Sequence, residues 1–260
     1  MVSCIGRGFA LYGWLPSLCK FYPNEKIGVH NKHSHKIKSR PELNKYLDRI
    51  EWYGNILELI DKTEFLILSV PPNEVKDFLI PITQSTNLKR LIVDKPICET
   101  PEKSEEFIKA VEDKGIKICS SYLFIYTDWF KELNPKKQYW VNWHRPNNNP
   151  LDSWKHNPKL GGGKIFYLIH LLAVSTYFPN MEVNVDSEDI PTQECLTIID
   201  EYGSRIENIY NIFKKSESEE DNRIPYLIQL LDDFENNYDK VNILMKNTNE
   251  LWKQEKLKLN

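Results

Sequence analysis

The sequence predicts an α/β protein: a doubly wound parallel sheet over residues 1–122, then a shortened α/β region with a mixed, mostly antiparallel sheet over residues 123–260. Three observations lead there. Short apolar runs alternate with helical patterns through the first half, the signature of successive βαβ units. The first run ends in a glycine turn, Gly6-Arg7-Gly8, and a later one ends in Asp94-Lys95-Pro96. Beyond residue 122 the pattern changes to the two-residue alternation of half-buried strands, as in Tyr139-Trp140-Val141-Asn142-Trp143-His144.

Val2 to Ile5 make a strand that enters Gly6-Arg7-Gly8-Phe9-Ala10-Leu11-Tyr12-Gly13. Glycines there let backbone N–H groups approach an anion, and the dipole of a following helix favours it, so the turn is a candidate phosphate cradle. Leu11 stands where the third glycine of G-x-G-x-x-G belongs, so a plain tight turn accounts for the same residues. Trp14, Leu15, Leu18 and Cys19 predict a helix kinked or begun by Pro16. The next strand, Lys26 to His30, is followed by Asn31-Lys32-His33-Ser34-His35-Lys36, without the carboxylate that would hold the ribose hydroxyls of NAD. Its cations and hydrogen-bonding groups suit a 2′-phosphate, and equally make a solvated basic loop.

Two short helices are predicted at Glu42 to Ile50 and Asn55 to Asp61. Phe65 to Val70 is a buried strand ended by Pro71-Pro72, and Val75, Phe78, Leu79 and Ile82 form the inner face of the helix after it. Leu91, Ile92 and Val93 form another buried strand, with Lys95 at its carboxyl end. Thr100 caps a helix opened by Pro101, with Phe107, Ile108 and Val111 facing inward and Gly115 near its end. Ile116 to Ser120 completes the parallel set. Right-handed crossovers place these strand ends on one edge, so the glycine turn, Val70-Pro71-Pro72 and Lys95 line one crevice.

In the second half an Asn- and Pro-rich loop runs through Pro150. Trp154 to Gly163 leads into Lys164 to Phe178, which is apolar almost all round and reads as a buried helix carrying His170. The three glycines before it permit close backbone approach to a ligand, or form a joint. Met181 to Ile190, Glu194 to Tyr202 and Arg205 to Lys214 alternate as three antiparallel strands. The charge run Ser216 to Asp221 reads as an exposed loop, and Pro225 to Tyr238 and Val241 to Leu257 as amphipathic helices.

Charge argues against some partners. With 34 basic and 37 acidic residues interspersed and a formal charge of −3, nothing suggests nucleic acid or an anionic membrane. Five cysteines without paired spacing speak against a zinc or other metal site and fit the reduced thiols of a cytoplasmic protein. Arg7 interrupts the apolar start and no basic region precedes it, unlike a signal peptide, and no apolar run is long enough to span a bilayer.

The glycine turn, Val70-Pro71-Pro72, Asp94-Lys95-Pro96, and Trp154-Lys155 through Gly161-Gly162-Gly163 to His170 occur in an order and spacing that resembles the Gfo/Idh/MocA family of NAD(P)-dependent sugar oxidoreductases. The resemblance covers nearly the whole chain. It implies an amino-terminal Rossmann domain over 1–122, and a substrate and oligomerisation domain over 123–260 whose open sheet makes homo-oligomer contacts. The implied substrate is a sugar or sugar nucleotide, oxidised or reduced with NADP or NAD. Phe166-Tyr167 and Trp14-Leu15-Pro16 look like members associated with bacterial surface-polysaccharide synthesis.

By the same resemblance Lys95 orients the substrate oxygen and passes its proton, His170 is a second acid/base, and Tyr167 an auxiliary donor. A lysine amine kept from water beside a cationic nicotinamide gives up its proton more readily, which suits that role. Gly6, Gly8 and Phe9 would cradle the pyrophosphate, Val70, Pro71 and Pro72 flank the cofactor, and Asp94 help hold Lys95. The chain also departs from the family. Phe166 or Tyr167 stands where a carboxylate is usual, Val75 replaces a histidine after the Pro-Pro turn, and the ribose-binding acid is absent. These departures keep a second expectation open, a catalytically silent member that binds a nucleotide or sugar and serves as a scaffold or partner.

Overall fold

The computed structural model describes residues 1–144, 152–186, 195–203, 205–209 and 220–259. The Asn- and Pro-rich loop, an end of each of three predicted strands and most of the 216–221 charge run lie outside them. In the first half β1 (Val2–Gly6) is followed by α1 (Leu15–Phe21), β2 (Ile27–His30), α2 (Ser34–Lys38), α3 (Pro41–Asn44), β3 (Ile50–Tyr53) and α4 (Ile56–Lys62). Then come β4 (Phe65–Ser69), α5 (Leu79–Gln84), β5 (Arg90–Val93), α6 (Pro101–Glu112) and β6 (Lys117–Ser120). The six strands form one wholly parallel sheet in the order β3-β2-β1-β4-β5-β6. Strand order reverses between β1 and β4, the place where a crevice opens beyond the carboxyl ends. All five residues of β4 are buried, as a central strand covered on both faces requires.

Several expectations hold closely. The Thr100 side chain accepts from Lys103 N at 3.3 Å and Pro101 opens α6. The Asn55 side chain caps α4 through Leu57 N at 2.8 Å. Cys4, Cys19, Cys98 and Cys119 are buried free thiols.

One expectation in this half is extended and one is corrected. Pro16 stands in the first turn of α1, as expected, but Ala10–Trp14 ahead of it is already helical, as a π-turn in which Leu15 N bonds back to Ala10 O. Proline has no N–H for the i−4 carbonyl, and a widened turn just before it accommodates that loss. The predicted helix Glu42 to Ile50 is only α3 and a short 3₁₀ turn, Leu47–Arg49, after which the chain enters β3. Leu43, Leu47 and Ile50 have helical spacing, but Ile50 and Tyr53 are buried in strand conformation where β3 pairs with β2.

The second half contains α7 (Asp128–Glu132), β7 (Tyr139–His144), α8 (Lys164–Ser175), β8 (Met181–Asp186), β9 (Cys195–Asp200) and β10 (Arg205–Ile209). The four strands form a second sheet, β10-β9-β7-β8. β9 pairs antiparallel with β7 and β10, but β8 runs parallel to β7, against the expectation of three antiparallel strands. The reason is the connection: α8 lies between β7 and β8 in sequence and packs on β8, a crossover that returns the chain in the same direction. Finally α9 (Ile224–Asn236) packs on α1, and α10 (Tyr238–Leu259) packs on α6, α8 and β6. Phe234 of α9 stacks on Phe65 of β4 with ring centroids 5.4 Å apart. Among the described residues no helix is long and apolar enough to cross a membrane.

Candidate active site

The carboxyl ends of β1, β4 and β5 open into a cavity of about 580 Å³. Gly8 and Phe9, Ser69 to Pro71, and Asp94 with Lys95 line it from the first sheet. Trp143 of β7, Trp154 and Lys155, and Phe166, Tyr167 and His170 of α8 line it from the other half. The volume lies in the range of small-molecule and cofactor sites.

Lys95 reaches across this cavity. Its Nζ donates to Phe166 O at 2.7 Å and sits 3.7 Å from the centre of the Phe166 ring, contacts that both suit a protonated amine. The Lys95–Pro96 peptide is cis. Asp94 turns elsewhere: its carboxylate accepts from Ser121 Oγ at 2.5 Å, from Trp14 Nε1 at 3.3 Å and from Ser69 Oγ. It thus fixes the loop on which Lys95 stands. His170 is buried, with its ring stacked on Phe124 at 4.7 Å and set edgewise to Trp143 at 6.2 Å. Tyr167 is buried edgewise against Trp143 at 5.8 Å and Phe166 at 5.0 Å. An amine, an imidazole and a phenol thus share one aromatic-walled cavity, groups able to hold an oxygen substituent and exchange its proton.

The glycines divide by role. Gly6 has φ +146° and a Cβ there would fall 2.0 Å from Ser69 O, so this glycine lets β1 end against β4. Gly8 faces open space, where a phosphate can approach backbone N–H groups. A Cβ on Gly13 would sit 2.1 Å from the Phe9 ring, so Gly13 makes room for that ring against the helix. Gly161 and Gly162 likewise serve packing within the chain: their missing Cβ atoms would meet Pro72 at 2.7 Å and Trp154 O at 2.2 Å. Gly161 and Gly163 also adopt positive φ, 83° and 66°. Pro72, expected beside a cofactor, is buried against Gly161, while Val70 and Pro71 line the cavity.

At the end of β2, burial and neighbouring cations lower the pKa of His30 and of His33. Burial, with Lys32, His30, Lys36 and Arg7 nearby, pushes His33 down to about 4, so it is neutral at pH 7. Of the positive groups here, Lys36 and Arg40 lie 4.9 and 4.8 Å from the Tyr12 ring centre. Lys36 also donates to Arg7 O at 3.2 Å. Tyr12 and Arg7 line the cavity, so this basic group borders it. Among the described residues no cluster of His, Cys, Asp or Glu is arranged to hold a metal ion.

Sequence reasoning missed Arg223, which lines the cavity from just before α9. Its signal was Asp221-Asn222-Arg223-Ile224-Pro225, a helix-start pattern with Asp ahead of a first-turn Pro, obscured by the charge run before it. Phe124 and Trp143, the seat of His170, were visible only as generic aromatics.

No protein-family model matches the sequence, and no curated protein matches it. Solved structures do match in fold. The WlbA (WbpB) dehydrogenase from Thermus thermophilus, in complex with NAD and UDP-GlcNAcA, is similar with TM-score 0.64 at 11% identity, over 96% of this chain and 94% of that one. KijD10, a 3-ketoreductase from Actinomadura kijaniata in complex with NADP and TDP-benzene, is similar with TM-score 0.66 at 9% identity, over 95% and 94%. A super-repressor mutant of Gal80p from Saccharomyces cerevisiae is similar with TM-score 0.63 at 12% identity, over 94% and 87%. These neighbours are of the Gfo/Idh/MocA type, and the resemblance drawn from the motifs extends to the fold of nearly the whole chain.

Proposed function

We propose that the chain is an NAD(P)-dependent oxidoreductase acting on a carbon of a sugar or sugar nucleotide. The observation that carries this reading is the cavity itself: it joins an open glycine turn at the strand-order reversal and Lys95 on the first sheet to Tyr167 and His170 on its far side. The bound nicotinamide would supply hydride transfer, taking hydride from a carbinol carbon or giving it to a carbonyl carbon. Lys95 would hold the substrate oxygen. In the reducing direction its ammonium gives a proton to the oxygen as the carbonyl becomes a hydroxyl, and in the oxidising direction the neutral amine takes that proton. His170 and Tyr167 would complete the proton path. Residues 1–122 would hold the cofactor and residues 123–260 the substrate face. NADP is favoured over NAD by Lys36 and Arg40 around Tyr12, which suit a 2′-phosphate. Homo-oligomer contacts would use the outer face of the second sheet, where Trp140 and Ile199 are exposed neighbours.

A Lys95→Met variant tests the proton role. With NADPH or NADH and a panel of sugar nucleotides, its turnover should fall at least 100-fold while its cofactor affinity stays within threefold of the wild type. Unchanged turnover removes Lys95 from the chemistry. One observation favours a second reading, a silent binding protein: His170 is only 4% exposed and stacked on Phe124, a setting that also suits a structural histidine. Turnover on any member of the panel disposes of that reading.

A further inference from the structure

Phe9 does more than complete the glycine turn: it carries an arginine delivered from the opposite end of the chain. The Arg223 guanidinium lies 3.8 Å from the centre of the Phe9 ring. Asp221 holds it in a fork, accepting from Nε at 2.8 Å and from an Nη at 2.6 Å, and also accepts from Arg223 N at 3.0 Å. Asp221 itself is buried, and its carbonyl accepts from Ile224 N at 3.1 Å at the head of α9. The guanidinium plane is therefore set from two sides, by the ring beneath it and by the carboxylate fork. Gly13 belongs to the same construction, since any side chain there would displace the Phe9 ring. Arg223 and Gly8 line the same cavity, and Gly8 opens onto clear space. The turn lacks the third glycine of the phosphate-binding pattern, Leu11 being fully buried instead. A planar cation with a fixed fork is the side chain best suited to two adjacent phosphate groups.

We infer that Arg223 is a pyrophosphate-binding residue of the cofactor cleft, with Asp221 and Phe9 as its positioning residues. The inference rests on the dinucleotide reading above and adds to it the group that recognises the diphosphate. Asp221 takes two of the five N–H groups of the guanidinium and fixes the orientation of the whole. The consequence is that cofactor binding depends on the segment leading into α9, well outside the parallel-sheet half.

The test uses the full-length protein and four probes: NADPH, NADH, ADP and AMP. The wild type should bind ADP at least tenfold more tightly than AMP, the difference being one phosphate of the pair. Arg223→Gln should weaken NADPH and NADH at least tenfold and reduce the ADP-to-AMP ratio to threefold or less. Arg223→Lys, which keeps charge without the fork, should fall between the two. Asp221→Asn should weaken ADP at least threefold with AMP unchanged. If the wild type binds NADPH or NADH and Arg223→Gln binds them as well, the inference fails while the cofactor reading stands. Equal losses of ADP and AMP affinity in Arg223→Gln also overturn it, because they mark a purely structural role. If the wild type binds no probe, the cofactor reading fails and the inference goes with it.

Discussion

The Asp94 carboxylate ties together three places that the chain reaches far apart in sequence: Ser69 at the end of β4, Ser121 after β6, and Trp14 in the turn before α1. All three donors are buried. Removing their acceptor leaves the buried Trp14 N–H without a partner, which costs about 1–3 kcal/mol, whereas Ser69 and Ser121 line the cavity and can turn to water there. Asp94→Ala should therefore lower stability by about 2 kcal/mol, read from denaturant midpoints, and should loosen the loop that carries Lys95. A change below about 0.5 kcal/mol would show that the bonds to Asp94 hold nothing. At this scale Lys95, His170 and Tyr167 were readable because short motifs mark them, and the structure brings all three to one cavity. Gly6, Pro72 and Asp94 fit the same motifs, and each also serves the chain itself: Gly6 lies against Ser69, Pro72 against Gly161, and Asp94 lines the cavity while accepting from Ser69, Ser121 and Trp14. A motif names the residue type that a turn needs, and the same glycine serves a ligand or a neighbouring strand. Arg223 was not readable, since its stacking partner Phe9 lies more than two hundred residues away.

Among the elements, the segment entering α9 is held by Glu220. Its carboxylate accepts from Lys20 of α1 at 2.5 Å, pairs with Lys45 at 2.6 Å, and accepts from the Tyr46 hydroxyl at 2.5 Å. Burial pulls the Glu220 carboxyl upward, but these hydrogen bonds and charges outweigh it and hold the group at about 2. A carboxylate depressed on folding stabilises fully above its unfolded value near 4.5, and that contribution is lost as pH falls toward 2. Glu220→Gln should thus cost about 2 kcal/mol at pH 7, and the gap to the wild type should narrow from about pH 5 downward. A gap that stays constant from pH 7 to pH 3 would contradict this. Apart from α2, which lies where the sequence reads as a basic loop, strands and helices of the first half were readable from period and caps, because a strand buried on both faces needs an unbroken apolar run. β3 was not: it is an edge strand of four residues, and its Ile50 fits a helical face as well as a strand. The parallel course of β8 follows from a crossover, a property of the path between strands rather than of the strands' own alternation.

For the whole molecule, the site depends on both halves meeting. The first sheet presents the glycine turn and Lys95, and β7, α8 and the residue before α9 supply the facing wall. The last two helices pack back onto the first half through α1, α6 and β6. The sequence showed two kinds of sheet but not this return, because an amphipathic helix states that it covers something without stating what. The central claim is that this shared cavity binds a nicotinamide dinucleotide. It is tested most directly by titrating the protein with NADPH and with NADH, following nicotinamide fluorescence and thermal unfolding together. A ligand that binds only the folded state at about 100 times its Kd adds about 2.7 kcal/mol of stability. The account predicts micromolar binding, tighter for NADPH, with a rise in Tm of several degrees at saturation. A well-folded protein whose Tm and fluorescence respond to neither dinucleotide would contradict it.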